Sequence, residues 1–596
     1  MVAPMIAALG VALLAAAGLA LDVGLYYAGN RELRMATEAA AMAAAVEPTQ
    51  ARSRAETYLR ANGYDPSVIK SLEVGYYCAN DDLKAATNGG SRFVAAGALD
   101  PNNCAGSRKG PNAVRLTAGK TSRQFLSGAL GSASPIPELA ATASAARIDE
   151  AGIAATSDLL GLTAGGVTSN LLDAVNGLLG ALLNIRLNLT GPDVRALMRN
   201  NVDAGKFFDA LAKRTGKTGT YAQLLSGSYG MRDVAYAAAD AATDGTTATV
   251  LRTIGTAAGN GYLVPMDRLF GVGVWKNMPV GQANVQPSLR AGINAYQLIT
   301  YAAQAGPGAI DLSDAVSLVV PNSTVAIRAV ATGPMDRPRF AFGPALETSA
   351  GTSILRLQVD VKLVNLSVAD IVNAEANVPL LIDVQASDAT ISNIDCAFST
   401  EQRDRTKVTL AVNSGLVNVY LGKLTNAAAM TKSVPTLRAS DFAQEDILKL
   451  RLQILFIGLD VVSVQGRAAV QPVVGGFRQR ELGPGGRDSV VVAGQSALPS
   501  QYSVLDNRAQ IGTTVQGLTT SLLGPGGLKA CTLSLICVSN DTKVIQTVSS
   551  VLNTVGNVLG NTADPLLDNV LAALGIQLGS ATVWTTGARC GVPVLI

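Results

Sequence analysis

Histidine is absent from the whole chain of 596 residues. Its absence excludes Ser-His-Asp and Cys-His nucleophile arrangements and every histidine-ligated metal centre. Charge is scarce as well: Asp, Glu, Lys and Arg make up 15% of the residues, against about a quarter in ordinary soluble domains. The net charge of +3 is not gathered into a Lys/Arg block, so the footprint of a nucleic-acid binder is missing and no such partner is expected. Aromatic residues are only 5%. What replaces them is Ala, Val, Leu and Gly, giving a mean hydropathy of +0.28. A chain of this length has room for about three or four domains and can bury a sizeable core without metals or crosslinks.

The six cysteines, Cys78, Cys104, Cys396, Cys531, Cys537 and Cys590, include no C-x-x-C pair. Zinc knuckles and thioredoxin-like motifs are therefore not expected. An even number behind an N-terminal apolar segment fits disulfides formed outside the cytoplasm. Spacing favours Cys78–Cys104 and Cys531–Cys537, although six cysteines allow about fifteen connectivities and buried free thiols are the other reading.

Residues 2–21 contain no charge. As a helix they span roughly 30 Å, the thickness of the hydrocarbon layer, and read as a transmembrane anchor. The basic start of a signal peptide is missing and the helical pattern continues past the span, so the anchor is expected to be uncleaved. Arg31 and Arg34 follow it while nothing basic precedes Val2, which is opposite to the positive-inside rule for an exported body. The expectation is that a basic leader has been lost ahead of Met1. Tyr26 and Tyr27 mark the headgroup level, which puts Asp22 about one turn inside it, either solvated at the helix end or engaged with a partner's membrane helix.

Seven of the ten residues 36–45 are alanine, the best helix former. One helix from Pro4 to Val46, roughly 64 Å long, is predicted, half in lipid and half projecting as an alanine-rich stalk. Small residues recur at Ala8, Ala12, Ala16, Ala20, Gly24 and Ala28. Such a stripe lets a second helix approach closely inside lipid, though alanine-rich composition alone also produces the spacing. Ala12, Ala16, Ala20, Asp22 and Gly24 are the candidate partner-binding residues.

Beyond the helix the pattern predicts an α+β body. Residues 53–62 read as a short helix, and "SLEVGYY", "SRFVAAG", "NAVRLTA" and "ELAATASAARI" as strands. "SNLLDAVNGLLGALL" reads as a helix leading into a strand at "NIRLNLT", with further amphipathic helices to residue 259. From about Val264 long alternating segments imply an extended antiparallel sheet. "DILKLRLQILFIGLDVVSVQGRAAV" carries Lys449, Arg451 and Asp460 and is read as a buried strand pair or helix–strand unit, not a second span. The expected organisation is 1–48 transmembrane helix and stalk, 49–147 small α+β module, 148–262 mostly helical, 263–500 antiparallel and β-rich, and 501–596 a C-terminal α+β region. "LLDAVNGLLGALLNIRLNLT" and "LLDNVLAALGIQLGSATV" echo one another, which shared Leu/Gly composition also explains.

"GKT" occurs at 119–121 and at 216–218, but the glycine a P-loop needs five positions earlier is Val114 in one and Leu211 in the other. Both are read as loops, and the repeated "GPGG" as turns. No catalytic residue, metal ligand or cofactor site is assigned.

The apolar run, the "LALDVGLYYAGNRELRMATEAAAMAAA" that ends it and the following "YLRANGY" resemble the N-terminal region of TadG-like proteins of the Tad/Flp pilus-assembly system. Asp22, Val23, Gly24 and the alanines of 36–45 carry the most specific part. "AGIAATSDLLGLTAGGVTSNLLDAVNGLLGALL", "VPLLIDVQASDATISNIDC" and the closing "LLDNVLAALGIQLGSATVWTTGARCG" extend the resemblance. Some of that family carry a von Willebrand factor A domain with a D-x-S-x-S metal site; "DLSDA" at 311–315 lacks the second serine, so metal-dependent adhesion is not implied. Prepilin-type processing signals are also missing. The resemblance implies a non-enzymatic, single-pass protein of the bacterial inner membrane, its bulk in the periplasm or cell exterior, that meets other pilus-assembly proteins. The alternative is a surface adhesin or apolar-ligand-binding envelope module.

Overall fold

A computed structural model describes residues 2–78, 92–96, 110–124, 137–156, 172, 175–177, 179–180, 183–242, 244–281, 289, 291–305, 309–311, 318–320, 323–332, 337–351, 354–368, 371–384, 388–396, 407–413, 417–425, 437, 439–443, 445–454, 457–470, 477–482, 502–505, 528–532, 536–539, 546, 553 and 581–596. Two units emerge: Met1–Glu150 with Gly343–Glu347 and Arg589–Ile596, and Ala151–Phe342 with Thr348–Ala588.

In the first unit α1 (Val2–Ala45) is one helix of 44 residues. It stops where a proline forbids helical geometry in the residue before it: Glu47, ahead of Pro48, sits at φ −144° and ψ 85°. The chain then runs back as α2 (Ala51–Ala61), which packs on α1. Both helices cover an antiparallel sheet of order β2–β1–β3–β4, formed by Phe93–Ala95, Ile69–Tyr77, Ala113–Lys120 and Leu139–Thr156. Val114, Leu116 and Ala118 alternate along β3 and meet Leu33, Ala40, Ala41, Ala44 and Ala45 of α1 and Ala55 and Leu59 of α2. At Gly75 a Cβ would lie 2.1 Å from the Val94 carbonyl oxygen, so only glycine lets β2 pair there.

The alanine-rich stretch is therefore not a projecting stalk. Its small side chains let the helix backbone come close to the sheet, and the four buried alanines form the centre of this core. Distant segments complete the unit. Glu347 accepts the Tyr77 hydroxyl at 2.8 Å and pairs with Arg92 at 3.0 Å. Arg589 pairs with Glu150, Gly591 donates to Asp149 at 2.9 Å, and the Ile596 amide donates to the Ser144 carbonyl.

The second unit begins with helices separated by very short strands. β5 (Asn201–Asp203) pairs with β6 (Gly292–Asn294), and each runs directly into a helix capped by its own last residue. Asp203 accepts the Lys206 amide of α4 (Ala204–Thr215), and Asn294 accepts the Gln297 amide of α8 (Ala295–Ala305). Between them lie α5 (Tyr221–Leu225), α6 (Met231–Ala241) and α7 (Gly245–Ala258), with α3 (Gly191–Arg199) ahead of β5. Asp244 caps α7, where hydrogen bonds from the Thr247 amide and hydroxyl hold its carboxyl below the usual range. Phe207, Phe208, Tyr221, Phe270, Phe340 and Tyr301 form an aromatic cluster.

Three expectations change here. The helices do not give way to strands at Val264 but continue through α8, whose every residue is buried. A helix that is covered on all sides shows no polar face, so its periodicity is invisible in the sequence. Within the expected strand "NIRLNLT", residues 186–190 form no assigned strand, and Asn176 instead bonds both the amide and the carbonyl of Leu189. Of the two "GKT" loops, the first starts on β3, while Gly216 of the second takes the left-handed conformation (φ 65°) that ends α4.

The sheet that follows is antiparallel, as the alternation predicts. Its path is β7 (Ser323–Thr332), β8 (Ile354–Val368), β9 (Ile371–Val384), β11 (Glu445–Ile454), β12 (Ile457–Gly466), β13 (Leu528–Thr532) and β14 (Ile536–Ser539), with β10 (Val417–Leu421) also on β9. "DILKLRLQILFIGLDVVSVQG" is thus the strand pair β11–β12. Ser349–Gly351, Asp388–Asp395, Lys407–Asn413 and Phe477–Leu482 form a second antiparallel sheet. Register sets Arg356 of β8 opposite Asp383 of β9, and Asp383 opposite Asn418 of β10, with all three buried. The fold is mixed helix and antiparallel sheet, α+β.

Candidate functional site: the N-terminal helix and its module

Residues on an α-helix step by about 100° each, so α1 can be divided into faces. Gly18, Asp22, Leu33, Thr37, Ala40 and Ala44 share one face and are buried. Leu9, Leu13, Ala16, Ala20, Gly24 and Tyr27 share the other and are exposed, with Leu9 and Leu13 at 64% and Tyr27 at 68%. A Cβ added at Gly24 would meet nothing within 4 Å. The small residues Ala16, Ala20 and Gly24 therefore stand open on an apolar face, while the side chain of Ala12 lies outside the described residues.

Asp22 is not solvated at the helix end. It is fully buried and makes an interaction within the chain. It stands two positions from Ala20 and from Gly24, which turns it about 200° away from that stripe. Sequence spacing placed the carboxylate and the stripe together; helical geometry puts them on opposite faces.

Among the described residues no helix is long and apolar enough to cross a membrane. The predicted span, 2–21, falls largely on residues whose side chains are outside the described set.

Polar groups begin one turn past the exposed apolar face. Tyr26 and Tyr27 pack edge to face at 5.8 Å, Tyr26 against the core and Tyr27 outward. Arg34 pairs with Glu38 at 2.8 Å across one turn of exposed helix, where water screens the pair and leaves it little weight in stability. Tyr64, in the turn after α2, packs on the same core with Lys120 Nζ 4.5 Å from its ring centre. Burial first and Glu32 next push its phenol up, and Arg123 pulls it back. Sequence reasoning missed this grouping, because Glu32, Tyr64, Lys120 and Arg123 come from three separate segments; the one local sign was a tyrosine inside the turn "ANGYDPS".

Cys78, Cys396 and Cys590 are disulfide-bonded, so none of the three is available as a thiolate ligand or nucleophile. Cys396 and Cys590 were not among the expected pairs. Cys104 lies outside the described residues. Cys531 and Cys537 face one another across the β13–β14 hairpin, as direct register partners. Opposed residues of an antiparallel pair have Cα atoms about 4.5–5.5 Å apart, within disulfide range. Peptide mapping of unreduced protein is expected to recover a Cys531–Cys537 crosslink; recovery of both as alkylated thiols would defeat the idea.

Residues 36–145 match the family model described as Tad-like Flp pilus-assembly. Residues 172–304, which hold the short-strand helical array, match a domain of unknown function (DUF8293). No curated protein and no solved structure matches the chain. The first match starts at the alanine-rich half of α1 and ends on β4, so it coincides with the helix-on-sheet core just described. Over residues 36–145, and there alone, the chain is similar to the Tad-like Flp pilus-assembly family model.

Proposed function

We propose that this is a structural, non-enzymatic component of a Tad/Flp-type pilus-assembly apparatus, held in the inner membrane by the N-terminal part of α1 with its body outside the cytoplasm. The observation that carries the reading is the family match over the module that α1 enters. The exposed apolar face of α1 supports it: Leu9, Leu13 and Tyr27 lie on the part of the helix that precedes the matched module and are open for lipid or for another helix. Ala16, Ala20 and Gly24 leave room on that face for close backbone approach by a membrane helix of another assembly protein. Asp22 is excluded from this contact by its burial and acts within the chain.

Ala16→Ile/Ala20→Ile in the full chain tests the reading. The variant stays apolar and helical, so it is expected to remain in the membrane fraction after an alkaline wash while pilus-dependent attachment is lost. Wild-type attachment at normal protein levels would reduce α1 to a plain anchor, and wild-type protein released by the wash would remove the anchor itself. Alkaline phosphatase fused after Pro48 is expected to be active; a silent fusion would reverse the orientation.

A further inference from the structure

The acids and the bases of the helical array are used differently. Residues 172–304 hold twelve Lys and Arg against eight Asp and no Glu, a net +4, which leaves the rest of the chain at −1. Five of those aspartates are engaged inside the fold. Asp193, Asp203 and Asp244 bond the first turns of α3, α4 and α7, where a carboxylate also meets the partial positive charge of a helix start. Asp209 accepts the Gly281 amide at 2.6 Å. Asp240 accepts Arg214 Nε at 2.9 Å on one oxygen and Arg252 Nη2 at 3.2 Å on the other. Lys213, Lys217 and Arg232, by contrast, are exposed, and none of them is in an ion pair among the described residues.

Three guanidiniums gather where α4 and α7 pack on α6. Arg214 and Arg232 both stand over the ring of Tyr236, their Cζ atoms 5.1 and 5.5 Å from its centre. The two cationic centres are therefore no more than 10.6 Å apart, the sum of those distances. Tyr236 bonds Thr256 of α7 at 2.9 Å. That bond, then a hydrogen bond from Arg232 and the charges of Arg232 and Arg214, pull the phenol below its ordinary value. Asp240 offsets one of the three positive charges, and half-buried Asp233 is turned about 100° from Arg232. We propose that this face, Arg214, Arg232 and Tyr236 with the exposed lysines at the end of α4, docks an acidic segment of a partner protein. The proposal does not depend on the membrane reading. Carboxylate binding is already seen on the face, where two arginines hold Asp240 through separate oxygens. A guanidinium fork matches a carboxylate, and Arg232 has no acid of its own to match. Alternate side chains of an extended peptide stand about 6.5–7 Å apart on one side, so successive acids fit within the span between Arg232 and Arg214.

Fluorescein-labelled decaglutamate, titrated with the whole chain in nonionic detergent at low salt, is expected to bind by anisotropy and to be released as salt is added. Arg232→Gln should weaken the binding about threefold, the scale of one exposed ion pair. Arg232→Lys keeps the charge without the fork and should fall between the two. Lys423→Gln removes the same charge from an exposed strand outside the helical array and is expected to leave the affinity unchanged. An equal loss at 423 would reduce the binding to net charge and overturn the site, as would no binding by the parent. Inorganic polyphosphate that binds the face more tightly than decaglutamate would overturn the carboxylate assignment. Nitration by tetranitromethane gives an independent measure on the unsubstituted protein. With decaglutamate bound, Tyr236 is expected to react more slowly, while Tyr27, exposed in the other unit, reacts as before. Unchanged nitration of Tyr236 would count against the docking face.

Discussion

Replacing Asp383 with leucine is expected to lower the opening free energy of the β8–β9 pair by about 3–5 kcal/mol, the range for breaking a buried ion pair from one side. Arg356 Nε donates to Asp383 Oδ1 at 3.1 Å, and neither side chain reaches solvent to any useful extent. The substitution removes a carboxylate from a guanidinium held in the interior, so the Coulomb attraction goes while the desolvation remains. Arg356→Met/Asp383→Leu removes both charges and is expected to recover most of the loss or exceed the parent. Native-state hydrogen exchange on the β8 and β9 amides measures this; a single variant as stable as the parent would show the pair to be idle.

The pair also has a pH signature. Burial raises the Asp383 carboxyl above its ordinary value, and Arg356 only partly offsets that. A raised folded value means the folded state binds this proton more tightly than the unfolded chain does. Its contribution is therefore complete below the unfolded value, about 4, and falls as pH rises through the raised folded value. Asp383→Asn should flatten that part of the profile, so the gap between variant and parent moves in the variant's favour as pH rises. Burial, and after it Asp383, push the nearby Tyr420 phenol up too, so that hydroxyl stays protonated throughout.

Phe270→Ala is expected to cost about 3–5 kcal/mol in the second unit, the range for deleting a buried phenylalanine. Phe270 is the hub of the aromatic cluster, with ring centres at 4.9 Å from Phe208, 5.6 Å from Phe207 and 5.6 Å from Phe340. Phe270–Gly271 also pairs in parallel with Phe340–Ala341, so the ring ties the helical array to a strand far along the chain. Trp275, five residues on and buried, reports unfolding once Trp584 is replaced. Phe270→Leu refills most of the volume and should lose much less. Equal losses for leucine and alanine would mean that ring geometry, not filled space, sets the stability.

The extent of α1 was legible because its causes are local: apolar and alanine residues set the helix, and Pro48 ends it. The β7 and β8 strands were legible for the same reason, since alternation is a property of each segment alone. Which face of α1 is covered was not legible. Leucine and alanine surround that helix on every side, so no contrast in polarity marks the face that holds Asp22 and Ala40 against the face that leaves Leu13 open. The full burial of α8 was hidden by the same lack of contrast. Arg356 and Asp383 each look like an ordinary charge on an alternating strand until register places them opposite one another. Arg589, Gly591 and Ile596 join the N-terminal module across more than 400 residues of sequence, where no local pattern could point to Glu150, Asp149 and Ser144. Local propensity and periodicity thus determined the elements; burial, ion pairing and the closing of the chain on its own beginning were decided by packing between segments that carry no signal of one another.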